Sequence, residues 1–219
     1  MDKIIPQVVF YIFNIPVRDT VISTWIMMGL IMFLIFALNR YSPTAIEMII
    51  EFLNDLVSDF TGRTVMPYLP ILSALAIFIA VGNTMGIIPY INAPTRDINT
   101  TFALALVVFF SVHYFGIKEE GFVTYFKNLA SPIYLLPLEI ISQLSRTLSL
   151  TLRLFGNILS GELIVAIILS LVPLFVPLPL IGFSIFTGLL QAYIFTALAA
   201  VYIAAGMESS SQNSQKKEK

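Results

Sequence analysis

Residues 133–172 form an apolar run of 40 residues with no obvious turn inside it, and this run restricts the fold more than any other feature of the chain. As a single helix at 1.5 Å per residue it is about 60 Å long, twice the roughly 30 Å hydrocarbon core of a bilayer. The run is therefore either two spans or one helix inclined at about 60° to the membrane normal, beyond the usual tilt range of about 40°. The membrane setting follows from composition. Hydrophobic residues make up 58% of the chain, charged residues 11%, and the mean hydropathy is +0.89, whereas soluble domains carry about 25% charged residues. Apolar runs of about 20 residues suit helices rather than the short alternating strands of a barrel. An all-α integral membrane protein is expected, with the lipid bilayer as its first partner.

The other segments fit about five membrane helices and one surface helix. The first span covers residues 21–38. In residues 43–63, Glu47, Glu51, Asp55 and Asp59 recur every four residues among Ile46, Ile49, Ile50, Leu53, Leu56, Val57 and Phe60. Pro43 suits the first turn and Gly62 the end, so an amphipathic helix on the membrane surface is expected, its acids forming a solvated face. The second span, 69–91, is interrupted by Gly82-Asn83 and Gly86. After a short polar loop, the third covers 101–117, and a charged loop covers 118–128. Three prolines in 173–179 make the turn between the long run and a last one at 180–205, and a polar tail follows. The expected organisation is a single membrane domain, 1–219. It comprises an N-terminal span and amphipathic helix (1–66), the second and third spans (67–132), a tilted hairpin (133–206) and a polar tail (207–219). Residues 1–6 lack a basic region and a small-residue cleavage site, so no cleaved signal peptide is expected.

Lys and Arg placement sets the orientation. Arg40, Arg63, Lys118, Lys127, Lys216, Lys217 and Lys219 fall on one side, against Lys3, Arg18 and Arg96 on the other. The C-terminus is expected in the cytoplasm and the N-terminus outside.

Arg153 lies deep in the long run. An arginine at the bilayer centre costs about 2.5–3.5 kcal/mol on the mild insertion scale, and it cannot shed its charge. Glu139, Arg146 and Arg153 are seven residues apart, so they share a slowly drifting stripe of one helix, with Gln143 and Asn157 close to it. No carboxylate stands three or four residues from Arg153. Glu162 falls roughly opposite Arg153 and should face a different neighbour. Ser184, Gln191 and Tyr202 form a second stripe in the last run. Two such helices side by side make a polar seam within lipid, and mutual pairing that glues the helices together is the plainer reading of it.

Other chemistries are not supported. His113 stands alone and reads as a packed or interfacial histidine. The chain has no cysteine, no metalloprotease motif, no phosphate-binding glycine loop and no serine nucleophile with a base. Neither cofactor nor metal is expected, nor catalytic residues, nor a nucleic acid partner. A self-contained secondary transporter would show inverted repeats with matching broken helices, and neither is visible. A purely structural anchor leaves Arg153 unexplained.

Leu152-Arg153-Leu154-Phe155-Gly156-Asn157, followed by Gly161-Glu162-Leu163, resembles the signature of subunit a of F-type ATP synthases. Leu190-Gln191-Ala192-Tyr193-Ile194-Phe195 with Val201-Tyr202 is similar to that family's last helix, and Pro137-Leu138-Glu139 and Asn83-Thr84-Met85-Gly86-Ile87-Ile88-Pro89 to its upstream segments. Gly156 and Glu162 look like the bacterial or chloroplast pattern. The resemblance implies a non-catalytic stator subunit in the bacterial plasma membrane. Its long tilted hairpin would face a ring of c subunits, alongside the b-subunit peripheral stalk and the other subunits of the complex. Two half-channels would carry H⁺ or Na⁺ to and from the ring, with Arg153 as the essential arginine between them. The resemblance also implies polar positions beside it at Asn157 and Gln191, a channel-lining Glu162, an acid at Glu139 near the cytoplasmic path, and a family asparagine at Asn83. Ser184 departs from the pattern. Some members have His or Glu there, so the titratable partner of Glu162 is missing, and water or Ser184 itself is expected to complete the channel.

Overall fold

Long apolar helices build the chain, as the composition requires. The computed structural model describes residues 8–12, 15–61, 67–86, 93–129, 136–172, 175 and 177–215. In chain order the elements are β1 (Val8–Ile12), β2 (Ile15–Arg18), α1 (Asp19–Tyr41), α2 (Pro43–Thr61), α3 (Leu69–Met85), a 3-10 turn (Pro94–Arg96), α4 (Ile98–Glu120), α5 (Phe122–Leu129), α6 (Leu136–Leu171) and α7 (Pro177–Gln215). Helices α1, α4, α6 and α7 are long and apolar enough to cross a membrane, and α3 is a shorter apolar helix.

Within the 40-residue run, Leu136–Leu171 is a single helix. α6 has 36 residues and is about 54 Å long. It therefore fits a hydrocarbon layer of about 30 Å only by lying steeply across it. It turns back into α7, and the two pack against each other. The core lies where α3, α4, α6 and α7 meet, around Leu72, Ile79, Ala105, Val108, Leu154 and Phe195. Small residues let the helices approach closely, as is usual in membranes. A Cβ added at Gly206 of α7 would stand 2.7 Å from Val112 Cγ1 of α4. Within the helices, buried hydroxyls return to their own backbone: Thr147 Oγ1 donates to the Gln143 carbonyl at 3.0 Å and Thr151 Oγ1 to the Thr147 carbonyl at 2.9 Å. These two hydroxyls then need no water.

α1 presents Trp25, Met32, Phe33 and Phe36 outward, an apolar surface suited to lipid, and packs inward through Thr20, Ser23 and Met27. α2 is amphipathic as expected, with Leu53, Leu56 and Val57 buried and Glu47, Glu51 and Asp55 exposed. His113 is packed: its Nδ1 lies 2.9 Å from the Phe109 carbonyl and its ring against Phe109 and Tyr125.

Two expectations need correction. The segment 118–128 is not a loop. α4 runs through Lys118 and Glu119 to Glu120, Gly121 turns the chain at φ 85°, and α5 folds back so that Tyr125 covers Gly116. Charged residues outside the hydrocarbon do not stop a helix; a glycine at positive φ does. Of the second span expected over 69–91, α3 covers Leu69–Met85, and residues 87–92 lie outside those described. Within the polar tail expected at 207–219, α7 continues to Gln215. Finally, β1 and β2 pair as an antiparallel hairpin before α1, where no strand is expected. The density of Val, Phe, Tyr and Ile there is the signal for it.

Candidate functional site

α6 and α7 run antiparallel, and their contacts fix the register. Ser184 Oγ would be 3.2 Å from a Cβ at Gly161, and Asn157 Nδ2 donates to the Thr187 carbonyl at 3.4 Å. Further along, the Arg146 guanidinium lies over the Tyr202 ring, 5.4 Å from its centroid. Each turn back along α6 is matched by a turn forward along α7, which puts Arg153 at the level of Gln191. Cysteines introduced at 153 and 191 are expected to crosslink readily in this cysteine-free chain. Pairs offset by two turns should not crosslink, and the reverse pattern would rule out this register.

The two residues at that level have opposite surroundings. Gln191 is buried, and its Nε2 has no hydrogen-bond acceptor among the described residues. Arg153 is exposed on the outer face of α6, next to exposed Leu148 and Leu152. Among the described residues it has no hydrogen bond or ion pair. The buried edge of α6 consists of Thr147, Leu150, Thr151, Leu154 and Ile158. A permanent cation thus stands on an apolar, outward face of a helix long enough to span a membrane. Toward one end of the seam, Glu139 accepts a hydrogen bond from Gln143 Nε2 at 3.1 Å.

Asn83 ties α3 to α7. Its Nδ2 donates to the Gly188 carbonyl at 2.8 Å, and its Oδ1 accepts from Thr95 Oγ1 at 2.7 Å. The approach is close, since a Cβ at Gly188 would come 3.0 Å from Asn83 Cβ. Asn83→Ala removes both bonds and leaves the fully buried Thr95 hydroxyl unpaired, a loss of about 1–3 kcal/mol. The variant is expected to melt at a lower temperature than Asn83→Gln, measured on the assembled complex.

The opposite end of the seam from Glu139 holds a charged network. Arg96, 6% exposed, reaches Glu162 Oε2 through Nη1 at 3.3 Å and stands 4.0 Å from Asp19 Oδ2 through Nη2. Asp97 accepts from Thr20 Oγ1 at 2.8 Å and Arg18 Nη1 at 3.5 Å, and caps α4 at the Asn99 N–H. Gly86 lies so close that a Cβ there would be 2.9 Å from Glu162 Oε1; only glycine lets the backbone approach the carboxylate this way. Glu162 therefore does face away from Arg153, toward the connection between α3 and α4.

This arrangement has relatives of known family. The family profile described as the ATP synthase A chain matches residues 21–204. The chain belongs to that family. It is similar to ATP synthase subunit a 2 of Bradyrhizobium sp. (strain BTAi1 / ATCC BAA-1182), 41% identical over 208 residues, covering 91% of this chain and 93% of the relative. ATP synthase subunit a of Legionella pneumophila subsp. pneumophila (strain Philadelphia 1) is 37% identical over 216 residues, covering 94% of each. ATP synthase subunit a 1 of Crocosphaera subtropica is 42% identical over 171 residues, covering 78% of this chain and 74% of the relative. The chain is thus a multi-pass membrane protein of the subunit a family.

Of the residues expected to matter, the fold brings Asn157 and Ser184 to the seam between α6 and α7, with Tyr202 beside Arg146 further along it, while Gln191 is buried and Arg153, at the same level, stands on the exposed face of α6. The fold sets Glu162 apart with a partner that sequence reasoning did not foresee. Arg96 reads in the sequence as an ordinary loop cation. Its burial against α6 depends on how the α3–α4 connection folds over the hairpin, which periodicity does not reveal.

Proposed function

We propose that this chain is the non-catalytic, ion-translocating stator subunit of an F-type ATP synthase. The observation that carries this reading is Arg153: a charge that cannot be neutralised, exposed on an apolar face of α6, and without a partner among the described residues. Such a residue needs a partner outside the chain, and a carboxylate passing on a ring of c subunits supplies it. Two half-channels open to opposite sides would meet the ring on either side of Arg153. Each carboxylate must release its H⁺ or Na⁺ before passing the guanidinium, so ions cannot slip directly from one channel to the other. In this reading Glu162 and Ser184 line the outer half-channel, and Glu139 lies toward the cytoplasmic one. Asn157, Gln191 and Tyr202 support the seam, and Asn83 holds α3 against it.

The chain works as a single membrane domain, 1–219, in the bacterial plasma membrane, beside the b-subunit peripheral stalk and the other subunits. The Lys and Arg balance supports an outer N-terminus and a cytoplasmic C-terminus. Arg18 and Arg96 cluster at one end of the bundle, while Lys118 stands in the last turn of α4 and Lys127 in α5 just after it. Vesicles holding the whole complex under an imposed ion gradient test the reading: ATP synthesis by the unmodified chain and none by Arg153→Ala is the expected result.

A further inference from the structure

We infer that Gly86 and the turn 93–96 form a fixed seat for the Glu162 carboxylate, in which Arg96 is the positioning residue that keeps a cation arriving at Glu162 loosely bound. This rests on the ion-translocation reading of Glu162 above.

Three groups from the α3–α4 connection meet the carboxylate. Arg96 Nη1 donates to Oε2 at 3.3 Å, and the Ala93 backbone N–H donates to the same carboxyl group. Gly86, the residue after α3, contributes empty space. A Cβ there would stand 2.9 Å from Glu162 Oε1 and 3.0 Å from the Ala93 Cβ. The carboxylate is the movable member of that contact, being the end of a flexible side chain, so a residue larger than glycine would push it off the seat.

The seat is rigid because the turn that carries it is tied on several sides. Pro94 opens the 3-10 turn with its φ fixed by the ring, and the Arg96 N–H closes it onto the Ala93 carbonyl at 3.0 Å. Thr95 is fully buried and donates to Asn83 of α3 at 2.7 Å. Asp97 accepts from Thr20 of α1 at 2.8 Å and caps α4 at the Asn99 N–H. Arg96 is itself buried and cannot deprotonate, so a permanent positive charge is held beside Glu162. Its Nε and Nη2 have no hydrogen-bond acceptor among the described residues, so the bond from Nη1 to Glu162 is what orients the guanidinium.

A cation that arrives at Glu162 meets this charge. The Glu162 side chain is 26% exposed, so an ion can reach it. Beside Arg96 stands Asp19 of α1, 4.0 Å away, and next to them Arg18 and Asp97 pair at 3.5 Å. α7 brings uncharged Ser184 opposite Gly161, and the near end of α4, residues 98–101, is uncharged. The guanidinium is therefore the charge that shares the carboxylate with the ion and opposes its binding. A relay group needs such weak binding, because the ion must leave as readily as it enters.

The test is ATP synthesis by the whole complex in vesicles, with H⁺ and then Na⁺ varied on the entry side at a fixed potential. The half-saturating concentration is read for whichever cation drives synthesis, and assembly is quantified separately. Arg96→Gln removes the charge but keeps a donor. Half-saturation should fall about tenfold, as expected for one charge at this distance from a partly exposed carboxylate. The maximal rate should fall too, because a more tightly held ion leaves more slowly. Gly86→Ala pushes the carboxylate off the same seat, so half-saturation should move in the same direction, and the double variant should match the larger single effect. Arg96→Lys keeps the charge and should shift half-saturation by less than about threefold. A merely structural Arg96 would lower assembly without moving half-saturation and would not separate Gln from Lys. Unchanged half-saturation in assembled Arg96→Gln, or equal shifts in the Gln and Lys variants, overturns the inference while leaving Glu162 as a channel group. Where Arg96→Gln does not assemble, unchanged half-saturation in Gly86→Ala does the same. Synthesis like the unmodified chain in Glu162→Gln instead removes Glu162 from the path, and this inference with it.

Discussion

Arg153→Ala is expected to abolish ATP synthesis driven by an ion gradient while leaving the complex assembled. The side chain is exposed and makes no ion pair among the described residues, so its loss should leave the fold of α6 intact. The buried edge that packs the helix, Leu150, Leu154 and Ile158, is untouched. The loss falls on function. A guanidinium about 4 Å from a passing carboxylate is worth about 4 kcal/mol at an effective dielectric of about 20. That is about a thousandfold preference for an ionised carboxylate at this one position. Without it, ions can pass between the half-channels without turning the ring. Arg153→Lys should fail as well, because an ammonium lacks the planar fork and loses its proton more readily in an apolar setting. The measurement is ATP made per assembled complex, with assembly quantified separately. Coupled synthesis at the normal rate by either variant contradicts the assignment.

Glu162→Gln is expected to have the next largest effect. It keeps the size and most of the hydrogen bonding of the side chain but removes its charge and its ability to exchange a proton. With H⁺ as the driving ion, flux should fall about a hundredfold, the usual contribution of one well-placed proton-transfer group. Glu162→His should retain part of the flux, because imidazole titrates near neutral pH. Passive proton uptake by vesicles, measured with a pH-sensitive dye under a fixed potential, separates the three proteins. Glu162→Gln conducting like the unmodified chain would make Glu162 a structural partner of Arg96 and nothing more.

The parts of this protein that were legible in the sequence are those set by hydrocarbon thickness and by local patterning. A 40-residue apolar run has few solutions, and α6 is the tilted-helix solution. The four-residue spacing of Glu47, Glu51 and Asp55 marks one face of α2, and those acids are exposed as that spacing implies. The stripes of polar residues in α6 and α7 were likewise readable, because helical periodicity is a one-dimensional signal. Where the outcome depends on chain regions meeting in space, the sequence is silent. Nothing near Arg96 in the chain indicates that it will be buried against a glutamate 66 residues later. The helical continuation through Lys118–Glu120 is hidden in the sequence for a different reason. Charge marks where the hydrocarbon ends, whereas the helix ends at Gly121, where the backbone takes φ 85°.

The claim that Arg153 faces a rotating partner, and not lipid, can be tested by capture. A photo-crosslinking residue at Leu152, exposed beside Arg153, should join this chain to a c subunit in the assembled complex, and one at Leu154, fully buried on the inner edge of α6, should not. Capture of lipid alone at position 152, or of any subunit other than c, would contradict a ring-facing Arg153.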